Sequence, residues 1–69
     1  MTIKEKELFS QVLESFKDEF PSVEVAQPYN DGYLEFSVNG KSLGGFNVEG
    51  HNLLYCLSEL TKVYEFELL

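Results

Sequence analysis

The dipeptide Asn39-Gly40 constrains the fold of this chain more than any other feature. Two residues that accept positive φ, flanked on both sides by alternating apolar and polar positions, specify a hairpin with a primed two-residue turn. Upstream of it, Leu34, Phe36 and Val38 share one strand face, and Tyr33, Glu35 and Ser37 share the other. Downstream the parity breaks. Leu43 is odd-numbered whereas Phe46 and Val48 are even, so a regular strand would send them to opposite faces. An extra residue at Gly44-Gly45 restores the register, and glycine is what a bulge accepts. The glycine pair is therefore expected to shape the strand rather than to admit a ligand to the backbone.

A third strand precedes the hairpin. Val23 and Val25 alternate with Glu24 and Ala26, and Pro28 either ends this strand or confines it to an edge. Asn30-Asp31-Gly32 supplies the turn into the hairpin. Helices flank the meander. Thr2-Ile3-Lys4-Glu5 has the spacing of a capping box, and Phe9, Val12, Leu13, Phe16 and Phe20 follow at the spacing of one buried stripe. Pro21 stops this helix near Phe20. Lys4, Glu7, Gln11, Glu14 and Asp18 form its wet face.

After Gly50 the helical period returns. Leu53, Leu57, Leu60 and Tyr64 fall on one side with Cys56 and Val63 beside them, and Gly50 or Asn52 serves as N-cap. The last residues alternate, Tyr64, Phe66 and Leu68 against Glu65 and Glu67, and two glutamates oppose the negative end of a helix. The expectation is helix to about Tyr64 and then an extended or frayed tail, with a fourth strand as the alternative. The fold class is thus α+β over residues 1–69, one small domain of order α-β-β-β-α. A three-stranded antiparallel meander is covered on one face by two helices.

A chain of this length buries only about 60% of its unfolded surface, so something must reinforce the core. One cysteine and one histidine allow neither an internal disulfide nor a Cys/His metal cluster. Six Phe and four Tyr supply the apolar area instead, or a homodimer does. No cofactor is expected. No stretch reaches the about 18 apolar residues that span a bilayer, so no membrane partner is expected either. The lone Cys56 and the absence of a leader-like N-terminus point to the cytoplasm.

Charge carries the first functional information. Twelve acids face five bases for a net charge of −7, and every base is lysine. Without arginine the chain lacks the usual bidentate ligand for phosphate and base edges, and its field repels nucleic acid and anionic lipid. Direct nucleic-acid binding is not expected. A basic protein surface is the complementary partner.

Two motifs fail on their chemistry. Gly40-Lys41-Ser42 resembles the end of a phosphate loop, but the position that requires the upstream glycine is Glu35, and the segment is a hairpin turn rather than a helix start. The order α-β-β-β-α is also that of double-stranded RNA-binding domains, whose second helix opens with a lysine cluster. Residues 48–53 contain no lysine, so the likeness is one of element order and does not carry function. Cys56 and His51, five residues apart on one helix, point away from each other and do not form a nucleophile–base pair. The carboxylates lack calcium-loop spacing. An enzyme is not expected.

The acids have an arrangement of their own. Asp18, Glu19, Glu24, Asp31 and Glu35 fall in a stretch without lysine, and Glu59, Glu65 and Glu67 repeat the bias near the C-terminal end. If strand and tail share a side, carboxylates and tyrosines stud one surface. The candidate partner-binding residues are Asp18, Glu24, Tyr29, Asp31, Tyr33, Glu35, Glu65 and Glu67, with Tyr55 as a further anchor. The expected function is a small non-catalytic binding module. It acts as an inhibitor of the kind phages and mobile elements carry, presenting carboxylates to the basic site of a nucleic-acid-handling enzyme. The alternative is a self-associating structural or assembly protein whose acidity serves solubility.

Overall fold

The computed structural model describes residues 1–29 and 31–68, apart from the side chains of residues 66 and 67. Helix α1 (Ile3–Glu19) is followed by strands β1 (Val23–Ala26), β2 (Tyr33–Val38) and β3 (Lys41–Asn47), helix α2 (Leu53–Val63) and a π-helical turn, Tyr64–Leu68. The strands form an antiparallel sheet of order β1-β2-β3. The α+β architecture expected from the sequence is the one observed.

Helix α1 starts and stops where local chemistry dictates. The Thr2 side chain accepts from the Glu5 amide, and the Glu5 carboxylate accepts in return from the Thr2 amide at 3.0 Å. At the other end, ahead of Pro21, Phe20 leaves the helical region with φ −125° and ψ 74°. Phe9 and Phe16 point into the core. Val12 does not: it is 40% exposed, a correction to the expected stripe. It sits at the stripe's margin, beside a groove between the two helices.

The hairpin forms as its residues require. Asn39 and Gly40 have φ of 52° and 81°, the two positive values of a primed turn. Phe36 pairs with Gly44 and Ser37 with Ser42, so the extra residue is Leu43, one position earlier than the glycine pair. Gly44 carries the strain, with φ 107°. Leu43 and Phe46 both end on the core side, as the parity argument demanded.

The core holds Phe9, Phe16, Val23, Leu34, Phe36, Phe46, Cys56, Leu60 and Val63. Phe36 lies at its centre, 5.7 Å from the Phe16 ring and 5.6 Å from that of Phe46. Helix α2 begins at Asn52, whose side chain accepts from the Tyr55 amide at 2.8 Å. Its buried line is Cys56, Leu60 and Val63, with Leu53 and Leu57 at the edge, so the stripe is turned slightly from the one the leucines suggested.

The tail is the main departure from expectation. It is neither extended nor a fourth strand: Tyr64–Leu68 continues helically in a wider turn. The Tyr64 ring packs against Phe20 at 5.7 Å. An aromatic pair contributes about 0.5–1.5 kcal/mol, whereas a glutamate at a helix C-terminus costs about 0.3–1 kcal/mol when exposed. The contact with Phe20 is what alternation alone does not reveal.

Candidate functional site

The register sorts the strand residues onto two faces. Val23 opposes Val38 and Val25 opposes Phe36 on the core side. On the other side Glu24 opposes Ser37, Ala26 opposes Glu35, Glu35 opposes Gly45, and Tyr33 opposes Asn47. Both helices lie on the core side, packed through Phe9, Phe16 and Cys56. The second face is left open, and Glu24 and Glu35 stand on it in diagonal positions of adjacent strands, on the order of 7 Å apart.

Tyr33 shapes this face. A methyl group on Gly45 would fall 2.6 Å from the Tyr33 hydroxyl oxygen and 2.8 Å from Cζ, and would strike the Leu34 carbonyl oxygen. The tyrosine ring therefore lies across the bare glycine backbone. Tyr29, 64% exposed, adds a second ring 5.9 Å from that of Tyr33. Asp31 orders the approach to β2, its Oδ1 accepting from the Tyr33 amide at 3.1 Å. The site is two carboxylates, two tyrosines and a turn aspartate on and beside one sheet face.

The remaining candidates lie elsewhere. Asp18 is exposed near the end of α1, and Glu65 is exposed in the π-helical turn that packs through Tyr64 on Phe20, the C-cap of α1. Both belong to the helical layer, so strand and tail do not share a side. The Glu67 side chain lies outside the described residues, as does Asn30 of the expected turn. Tyr55 is also helical and stacks on His51, with centroids 3.8 Å apart and planes at 15°. His51 precedes the N-cap and so lies outside the helix that the sequence pattern has it share with Cys56. Cys56 is completely buried, and burial pushes its thiol pKa up, away from thiolate chemistry.

The lysines gather where the sequence already concentrates them, chiefly in the first helix. Lys4, Lys6 and Lys17 belong to α1 and Lys62 to α2, while Lys41 opens β3 opposite Val38, at core-side parity. The open face thus carries carboxylates without a lysine among the strand positions that point to it. Among the described residues no group of three or more His, Cys, Asp or Glu side chains is placed to hold a metal ion. Among them, too, no helix is long and apolar enough to cross a membrane. Comparison with protein-family models, curated proteins and solved structures gave no match.

Proposed function

We propose that this protein binds a basic surface of another protein through the open face of its sheet, and inhibits that partner by occupying a site built for nucleic acid. The observation that supports the reading is the pairing of Glu24 and Glu35 with the Tyr29–Tyr33 rings on a face free of lysine. Carboxylates held on strands keep fixed spacings and attract a cationic groove at long range. Tyrosines beside them provide rigid apolar contact at small entropic cost. Together these are the two components of a charge-steered interface: attraction sets the rate of encounter, and ring burial sets the residence time.

Edge-to-edge assembly of the sheet is less favoured by the same structure. Strand β1 is only four residues long, and β3 is interrupted by the bulge at Leu43. Both are devices that discourage strand addition.

Salt tests the proposal. Immobilised protein should retain a nucleic-acid-handling enzyme from nuclease-treated lysate at low ionic strength. Retention should fall steeply as the screening length drops from about 30 Å at 0.01 M to about 3 Å at 1 M. Added DNA or RNA should compete the enzyme off. Retention indifferent to both salt and nucleic acid contradicts the reading.

A further inference from the structure

The helical layer carries a second surface, which does not depend on the proposed role of the sheet face. Leu8, Gln11, Val12 and Ser15 of α1 line a groove with Leu53 of α2. Leu8 and Val12 are 43% and 40% exposed, far more than the apolar residues one turn-face away. At a helical period, Lys4 and Glu19 extend this same stripe at its two ends, giving Lys4, Leu8, Gln11, Val12, Ser15 and Glu19 along one line. Among the described residues the ion pairs are Lys6 with Glu49 and Lys62 with Glu59, and neither Lys4 nor Glu19 is one of these partners.

We propose that this stripe is the interface of a two-fold homodimer, with α1 antiparallel to the partner's α1 about an axis between Gln11 and Val12. The stripe is self-complementary under that operation and no other partner is needed to explain it. Lys4 meets the partner's Glu19, Leu8 meets the partner's Ser15, and Gln11 meets the partner's Val12. Each large apolar side chain faces a small or polar flexible one, and each end charge faces its opposite. An isologous interface requires this reciprocity.

The macrodipole adds an argument. Lys4 stands in the first turn of its own helix and Glu19 in the last, each at the end where its charge is unfavourable. Antiparallel pairing brings Lys4 beside the negative end of the partner helix and Glu19 beside the positive end. The arrangement is a cost in the monomer and a gain in the dimer. The net charge of −7 opposes self-association, and the two Lys4–Glu19 contacts per dimer offset part of that repulsion. The dimer leaves both sheet faces outward.

Sedimentation velocity of the full chain, from micromolar to millimolar concentration at physiological ionic strength, tests the proposal. The wild-type chain should dimerise. Lys4→Glu and Glu19→Lys, each of which creates two like-charge contacts per dimer, should each weaken it about tenfold or more, about 1.4 kcal/mol. The combined Lys4→Glu, Glu19→Lys chain should dimerise more tightly than either single variant, because both end contacts are again of opposite sign, but less tightly than wild type, because the reversed charges now suit each monomer's own dipole. Because each substitution also improves the fit of charge to the α1 dipole, the helix remains folded, and circular dichroism of each variant verifies it. A chain that is monomeric at about 1 mM, single variants that dimerise like wild type, or a combined variant no tighter than the single ones would each overturn the proposal.

Discussion

Glu5 joins the two helices by a single carboxylate. Its Oε1 accepts from the Thr2 amide at 3.0 Å, and its Oε2 accepts from the Leu53 amide at 3.2 Å, across a separation of 48 residues. It therefore satisfies an orphan donor at the start of α1 and another at the start of α2. The bonds from the Thr2 and Leu53 amides hold its pKa below the ordinary value of 4.5. A depressed carboxylate pKa contributes stability above its unfolded value and loses it as pH falls through the folded one. Thermal melts of wild type and Glu5→Gln should thus differ most near neutral pH, with wild type higher. The gap should close as pH falls below about 4.5, since only the wild-type group titrates. A gap independent of pH would mean that the carboxylate charge is not what matters. Half of this role was legible: the Thr2–Glu5 spacing announces the capping box, but nothing in the local sequence announces a bond to Leu53.

At the scale of elements, strand β3 shows how far pattern reading goes. The parity of Leu43 against Phe46 required one extra residue, and the structure contains one. The pattern placed it on the glycines, because glycine tolerates a bulge; the chain inserts Leu43 and uses Gly44 for the positive φ beside it. Gly45 has a different reason to lack a side chain, the Tyr33 ring and the Leu34 carbonyl above it. Gly45→Ala should consequently destabilise by about 1–3 kcal/mol, as overpacking does, and displace Tyr33 from the open face. Urea denaturation measures the first effect and the Tyr33 ring resonances the second; an unchanged midpoint would remove Gly45 from this account. The tail was less legible, since Tyr64 is apolar in either an extended or a helical reading until its contact with Phe20 is known. For the same reason the acids of strand and tail looked like one surface, whereas the layers separate them.

The whole molecule divides its charge between two layers while sharing one aromatic core. A chain of this length has a total stability of roughly 3–10 kcal/mol, and removing a buried phenylalanine costs about 3–5 kcal/mol. Phe36, fully buried between Phe16 and Phe46, ties β2 to α1 and β3. Phe36→Ala should abolish or nearly abolish the cooperative urea transition followed by circular dichroism; a midpoint near that of wild type would contradict this picture of the core. On the outside, alternation along β1 and β2 made Glu24 and Glu35 readable as a common face, and the register agrees. The most direct measurement is therefore the association rate of the Glu24→Lys, Glu35→Lys chain with the enzyme captured by wild type. Glu24 is exposed and Glu35 half-buried on the open face, so the first substitution should shift stability by no more than about 0.5 kcal/mol and the second by about 1 kcal/mol. Association should slow about tenfold or more, with the fold intact by circular dichroism. Association at the wild-type rate would show that the open sheet face is not the binding surface.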